Sequence, residues 1–352
     1  MVKILHTADI HLKAGNDKRW SALQEIINIG IEEGIDLLII SGDLFDKTCD
    51  AERLRPEMHK IFSGTGFETI LIPGNHDEKL REGIYLGENV HVLSKSPFDY
   101  YDYKDVRIIG LPFKRITSEE VFMMLRTLSN KLEEDKYNIL LFHGELADRH
   151  FYSEDYGNEC ERRYMPLKLS YLKNLNVNYV LAGHYHKRFE ILRLENGGFF
   201  VYPGSPVSIT QKEIGQRKVN LFEVGGHPKE HPLNTFHFER VNINLNPLRI
   251  TNPIEYVNEH LKNIHPMAKV FLTVRGFINS KATGITEKML KRHIENALEG
   301  RYEDLIFKVR DIDIIQDELF ERFKERLMRT DSSEEEKELM LELLVDVFTE
   351  MI

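Results

Sequence analysis

The chain is poor in several things, and each shortage narrows what it can be. Two cysteines in 352 residues, Cys49 and Cys160, supply no disulfide framework and fit a reducing, cytoplasmic setting. No apolar run approaches the ~20 residues that span a bilayer, so no membrane segment is expected. The opening Met1-Val2-Lys3-Ile4-Leu5 is too short and too soon interrupted for a secretory leader, and it predicts a first strand. Repeats of solenoid period and low-complexity tracts are missing too, which argues against a repeat architecture. Positive charge is in deficit, with a formal net charge of −10. Taken alone, that argues against a nucleic-acid binder. Exposed acidic helices can set the sum, however, while a face that holds metal ions stays positive.

What is present is a repeated event in the first half. A short run rich in Ile, Val and Leu ends abruptly in polar, metal-capable residues. Val2 to Leu5 leads into His6-Thr7-Ala8-Asp9-Ile10-His11, and Leu37 to Ile40 into Ser41-Gly42-Asp43-Leu44-Phe45-Asp46. Thr69 to Ile72 leads into Pro73-Gly74-Asn75-His76-Asp77, Ile139 to Phe142 into His143-Gly144-Glu145, and Tyr179 to Ala182 into Gly183-His184-Tyr185-His186. Runs this short, bounded by Gly and Pro, predict buried strands. Helical spacing lies between several of them: Trp20, Leu23, Ile26, Ile27 and Ile31, and later Val121, Met124, Leu125, Leu128 and Leu132 behind a Thr117/Glu120 capping box. Alternating strand and helix predicts an α/β domain with ligands beyond the carboxyl ends of the strands, where all the polar clusters fall.

The length predicts two domains, with room for a small appendage. After Gly198, Phe199 to Tyr202, Val219 to Val224 and Phe236 to Ile243 are expected as strands that complete a second sheet over the core. Beyond the Asn246-Pro247 and Asn252-Pro253 breaks, a helix (254–261), a strand (269–274), a helix (287–298) and a strand (305–309) predict a small α+β domain. Two helices are expected from Asp317 to Ile352, the second opening on a Ser332/Glu335 capping box. The expected domains are therefore 1–245, 246–315 and 316–352.

Alternate residues of a strand share a face, so Asp9 points with His11 and His184 with His186. With Asp43, Asn75 and His143 from neighbouring strand ends, they form a basin of imidazole, carboxylate and one amide oxygen, without thiolate. That mixture suits manganese, iron or zinc better than calcium or magnesium. Seven candidate ligands are too many for one ion and, with Asp43 bridging, suit two ions about 3.5–4 Å apart. Any one of these motifs alone is more often a turn or a satisfied core histidine. Five in order, each after an apolar strand, point to a metal centre.

In this order, D-x-H, GD-x-x-D, GNHD, a later His and GH-x-H resemble the calcineurin-like metallophosphoesterase superfamily over roughly the first 190 residues. The resemblance implies a two-sheet β-sandwich core flanked by helices. It implies that one ion takes Asp9, His11, Asp43 and His186, and the other Asp43, Asn75, His143 and His184. It makes His76 the residue that protonates the leaving oxygen or stabilises the transition state, with Asp46 accepting a hydrogen bond from it. Asp46 stands where the family often has His, and Lys13 where it usually has Gly.

The opening His-Thr-Ala-Asp-x-His-Leu, followed by a core, an α+β cap and C-terminal helices, is similar to the SbcD-type nuclease subunit of double-strand-break repair complexes. That likeness implies a manganese-dependent DNA exonuclease and endonuclease whose terminal helices dock on an SbcC-type coiled-coil ATPase; a homodimer is also compatible with it. Lys187, Arg188, Arg149 and Arg115 are the basic residues best placed by sequence for DNA phosphates, against the plain alternative of a solvated rim. The tail carries two apolar stripes, Leu319, Phe320, Phe323 and Leu327, then Leu339, Met340, Leu343, Leu344, Val347 and Met351. They either pack on each other and their own domain or serve a partner. The competing function is a small-molecule phosphodiesterase or phosphatase of the same superfamily. Protein phosphatases of the GD-x-x-DRG type fit poorly, because Lys47-Thr48 follows Asp46. A non-catalytic scaffold fits poorly as well, because no ligand is missing.

Overall fold

A strand that is apolar at every position must be covered on both faces, and the fold of the first half follows from that requirement. The computed structural model describes residues 1–15, 17–47, 50–77, 79–80, 83–148, 165–311 and 318–351. The chain forms two units, Met1–His237 and Phe238–Ile352.

In the first unit the order is β1 (Lys3–Thr7), α1 (Lys18–Glu32), β2 (Leu37–Ser41), α2 (Asp50–Arg53), α3 (Arg55–Phe62), β3 (Glu68–Ile72), β4 (Val90–Val92), β5 (Asp99–Tyr103), β6 (Val106–Leu111) and α4 (Ser118–Leu128). Next come β7 (Tyr137–His143), β8 (Tyr179–Gly183), β9 (Glu190–Arg193), β10 (Phe199–Tyr202), β11 (Lys218–Glu223) and β12 (Glu230–Pro232). They make two six-stranded sheets, β12-β11-β1-β2-β3-β4 and β5-β6-β7-β8-β10-β9. The central strands β1 to β4 run parallel, as do β6, β7, β8 and β10.

The two-residue period of each strand sorts its side chains into layers. Ile4, Leu37, Ile39 and Ile70 face Ile108, Ile139, Leu141 and Leu181 in the core between the sheets. The alternate residues Leu5, Leu38, Ile40 and Leu71 pack under α1 and α3 with Leu23, Ile26, Met58 and Phe62. Leu140, Phe142 and Val180 pack under α4 with Val121, Leu125 and Leu128. The result is a two-sheet sandwich flanked by helices, the fold class expected from sequence. Thr117 and Glu120 form the expected capping box at α4. Truncating a central residue such as Leu38, fully buried, to Ala removes about 2–5 kcal/mol.

The second unit holds β13 (His237–Leu245), α5 (Pro253–Lys262), β14 (Ala268–Ile278), α6 (Ser280–Thr283), α7 (Glu287–Leu298), β15 (Tyr302–Asp311), α8 (Glu318–Met328) and α9 (Glu334–Met351). Its sheet order is β13-β14-β15, with β14 and β15 parallel across the α6–α7 connection. Strand 236–243, expected in the sandwich, therefore lies in a third sheet. Its apolar face packs there: Ile243 and Leu245 join Val270, Leu272, Val257 and Leu290 in a separate core. Of the other two strands expected in the second sheet, β10 lies there, whereas β11 pairs with β1 in the first.

The box that opens α9 is Ser333/Glu336, one residue beyond the expected pair: Ser333 N donates to Glu336 Oε2 and Glu336 N to Ser333 Oγ. Asn246 and Arg249 hold α9 through Glu342 and Asp346, and Val345 is fully buried.

Candidate metal centre

Every candidate ligand sits at or just past the carboxyl end of a central strand. Asp9 and His11 follow β1, Asp43 follows β2, Asn75 and His76 follow β3, His143 ends β7, and His184 and His186 follow β8. To turn several side chains toward one point, the backbone leaves ordinary conformations. Asp9, His11, Asp43 and His184 have φ of 55°, 51°, 51° and 88°. Non-glycine residues held there cost about 1–3 kcal/mol each, which the surroundings must offset. Here they do so with hydrogen bonds between the ligand loops. Asp9 N donates to Gly42 O (3.1 Å) and His11 N to Asp43 O (2.9 Å). His184 N donates to both carboxylate oxygens of Asp9 at 3.0 Å, and His76 N to Asp43 Oδ1 at 3.0 Å. Two glycines make the approach sterically allowed. A Cβ on Gly42 would lie 2.2 Å from His143 Nδ1, and one on Gly74 2.1 Å from Asp43 Oδ1.

The donors converge as overlapping groups. The ligand atoms of Asp9, His11 and His186 lie within 4.8 Å of one another, as do those of Asp43, His143 and His184 and those of His11, Asp43 and His76. Asn75 Oδ1 is 3.0 Å from His143 Nε2. Asp43 Oδ2 lies between the two halves, 3.3 Å from His143 Nε2 and 3.7 Å from His11 Nε2. All seven sequence-predicted ligands therefore line one basin.

Electrostatics test whether this basin fits cations. Burial opposes charge on Asp43, yet the His143, His11 and His76 imidazoles around it hold its carboxyl well below the usual range. Burial pushes Asp9 up to about 6. Burial also disfavours a charged His143, but Asp43 overrides it and carries the imidazole up to about 9. The cluster thus retains protons where a cation would serve. His11 Nε2 and His186 Nε2 also face each other at 3.3 Å, an arrangement that satisfies both nitrogens only if one carries hydrogen or both face a cation. His143 Nδ1 donates to Ser41 O at 2.8 Å, which turns Nε2 toward Asp43 as a lone-pair donor for an ion. The donor set fits divalent ions.

His76 stands beside the basin, its ring 4.9 Å from that of His11. The family resemblance makes the Asp46 side chain its expected partner. In the structure His76 Nδ1 donates instead to the backbone carbonyl of Asp46, at 2.7 Å. The Asp46 carboxylate is drawn away by charge, to Arg19 (3.3 Å) and Lys13 (3.4 Å).

Of the basic candidates, Lys187 is half-buried and Arg115 exposed, while Arg188 is engaged by Glu190 at 2.6 Å. Arg149 lies outside the described residues, as do both cysteines and the side chains of Leu319, Phe320 and Met351.

Several supporting residues have no role assigned by the sequence patterns above. Asp77, fully buried, accepts from Leu44 N and Phe45 N at 3.0 Å and from Gly74 N at 3.3 Å, tying the Asp43 loop to the Asn75–His76 loop. Arg19 donates to His11 O (2.8 Å) and reaches Asp46, joining the first two loops. Glu213 and Arg217, both nearly fully buried, stand behind His186. Asp77 is visible as the last letter of Gly-Asn-His-Asp. The others resemble ordinary surface charges in sequence.

The chain belongs to the calcineurin-like phosphoesterase family, which it matches over residues 2–188, and it is a hydrolase of phosphoester bonds. It is 25% identical over 329 residues to the DNA double-strand break repair protein Mre11 of Saccharolobus solfataricus, covering 88% of this chain and 78% of the relative. It is 24% identical to the uncharacterized metallophosphoesterase YhaO of Bacillus subtilis (62% of this chain) and 26% to Mre11 of Thermoplasma acidophilum (60%), spanning 57% of each of those proteins. Among solved structures, TT1561 of Thermus thermophilus aligns with 62% of this chain and 93% of its own, at 18% identity and a TM-score of 0.43.

Proposed function

We propose that the chain is a two-metal DNA nuclease with manganese as its working ion, cutting phosphodiester bonds as exonuclease and endonuclease in double-strand-break repair. The observation that carries this reading is the basin in which Asp9, His11, His143, His184 and His186 gather around Asp43, with Asn75 Oδ1 3.0 Å from His143 Nε2, found in a chain related to two proteins named for break repair. In this reading Asp9, His11, Asp43 and His186 hold one ion, and Asp43, Asn75, His143 and His184 the other. Bound there, two divalent ions supply Lewis acidity, activating water for attack on phosphorus and neutralising charge on the phosphoryl oxygens.

The chain's own groups do the rest. The Asp43 carboxylate draws the two halves of the basin together. The His143 Nδ1 bond to Ser41 O and the Asp77 bonds to the loop backbone pre-set ligand directions before substrate arrives. His76, with Nδ1 given to Asp46 O, has Nε2 as the nitrogen that carries a proton to the leaving oxygen. Asp46 acts through its carbonyl on His76 and through its carboxylate on Arg19. Lys187, Arg188, Arg115 and Arg149 contact DNA phosphates.

Residues 246–315 form the DNA-contacting cap, and 316–352 the segment that docks a coiled-coil ATPase of the SbcC type by helix-in-groove packing. Leu339, Met340, Leu343 and Val347 support the latter, because all four are large, apolar and exposed. No helix among the described residues is long and apolar enough to cross a membrane, and the reading is of a cytoplasmic enzyme.

The deciding experiment compares plasmid nicking and oligonucleotide degradation with turnover of a para-nitrophenyl phosphodiester, each with manganese. DNA cleavage is expected. Turnover of the small ester with intact DNA would make the chain a small-molecule phosphodiesterase instead.

A further inference from the structure

The metal basin is built from loops inside the family-matched stretch, yet one of its ligands is backed by residues well beyond it. His186 presents Nε2 to the basin, 3.3 Å from His11 Nε2 and 3.7 Å from Asp9 Oδ1. The opposite ring nitrogen, Nδ1, is buried and faces Glu213 Oε1 at 3.8 Å, an ion-pair separation longer than a hydrogen bond. Glu213 is only 2% exposed, and its carboxylate is held from several sides. Oε2 accepts from Ser205 Oγ and Ile209 N at 2.8 Å. Oε1 accepts from Thr210 N (3.2 Å) and Thr210 Oγ1 (3.1 Å).

Arg217, equally buried, supplies the compensating charge. Its guanidinium donates to the carbonyls of His186 (2.5 Å), Lys187 (3.0 Å) and Ser205 (2.8 Å), and to Ser205 Oγ at 3.2 Å. Ser205 N returns a bond to His186 O at 3.2 Å.

A buried carboxylate and a buried guanidinium are costly unless both are paired and saturated with hydrogen bonds. Here the carboxylate accepts four hydrogen bonds and the guanidinium donates four, and every one of these Arg217 bonds falls on one of two loops, 186–187 or 205. An Arg in such a place fixes backbone, since three carbonyls are clamped by one rigid fork. A carboxylate behind a ligating imidazole orients the ring and raises its basicity toward a cation.

We propose that Glu213 and Arg217 are positioning residues for the metal centre: Arg217 clamps the loop that carries His186, and Glu213 aims and polarises its ring so that Nε2 completes the Asp9–His11 cluster. This rests on the dinuclear reading above and extends it to residues outside the 2–188 family match.

The test is manganese titration by calorimetry of the full chain and of the variants Glu213→Gln and Glu213→Asp, with melting of each in chelator as a separate record of folding. Glu213→Gln is expected to weaken manganese binding about 10–100-fold, the usual effect of losing such an outer carboxylate. Glu213→Asp, which keeps the charge opposite Arg217 but withdraws the oxygen, is expected to fall between it and the parent. Metal-free melting of Glu213→Asp should stay close to the parent's. Parental manganese affinity in the variants that fold would overturn the proposal, whatever their melting temperatures, and would leave the pair a role in packing alone. If Glu213→Gln does not fold, Glu213→Asp decides: a several-fold loss supports the proposal and parental affinity overturns it. A parent chain that binds no manganese would overturn the dinuclear reading first and this one with it.

Discussion

Helix α4 of the first unit and helix α9 of the second both carry apolar stripes, and they dispose of them in opposite ways. In α4, Val121, Leu125 and Leu128 are buried against the outer face of a sheet. In α9, Val345 is buried, but Leu339, Met340, Leu343 and Val347 are 41–56% exposed. The same contrast separates the units as a whole. The first covers both faces of its central strands and sets the buried Asp9, His11, Asp43, His143, His184 and His186 at or just past strand ends. Among the described residues, the second has one small core and a helix with four exposed apolar side chains. A site that orients several groups at once works best when rigid before substrate arrives, and the proposed partner-docking role of 316–352 fits an exposed apolar stripe.

Four substitutions probe this contrast between the units, in decreasing order of effect. The largest belongs to Asp43, whose carboxylate faces both halves of the basin. Asp43→Asn is expected to lose most hydrolysis and at least one bound ion per chain, read by metal analysis beside an activity assay; an active variant with two tightly held ions would remove Asp43 from the centre of the account. His76→Ser comes next. It should keep metal content and DNA affinity while hydrolysis falls by about 10²-fold or more, since a positioned acid contributes on that scale. Collapse of metal occupancy instead would make His76 a ligand, a role that its place in the His11–Asp43–His76 group makes worth testing.

Smaller again is Thr117→Ala at the start of α4. Loss of the cap should cost about 1 kcal/mol of stability in denaturant unfolding, with manganese binding unchanged. The smallest effect on folding is expected for Leu343→Asp in α9. A surface change of this kind alters stability by within about 0.5 kcal/mol, yet it should abolish capture by an SbcC-type ATPase in a pull-down. A marked drop in melting temperature there would mean that the stripe is packed in solution and that the contrast between the helices is false.

Much of the first unit is legible in the sequence because its signals are local. An apolar run with no polar alternation has only one environment open to it, and a His, Asp or Asn immediately after it can only emerge at a strand end. The limits expected for α7, 287 and 298, are those observed. What the sequence hides is tertiary in origin. Strand 236–243 reads like any sandwich strand, and only its pairing with β14 assigns it to the second unit. Ser332 and Ser333 are chemically equal caps, and the register of α9 selects the second. The Asp46 side chain is a chemically sound partner for His76, but Arg19, in the first turn of α1, competes for it and wins. Glu213 and Arg217 are unreadable for the same reason. In sequence a Glu and an Arg four apart describe a solvated turn, and nothing local says that both are buried behind a ligand.

In the proposed dinuclear centre Asp43 joins two ion sites in one basin. Anomalous diffraction from manganese-soaked crystals of the full chain tests it most directly. Two peaks are expected, one contacted by Asp9, His11 and His186, the other by Asn75, His143 and His184, with Asp43 contacting both. A single peak, or two peaks of which neither touches Asp43, would contradict it.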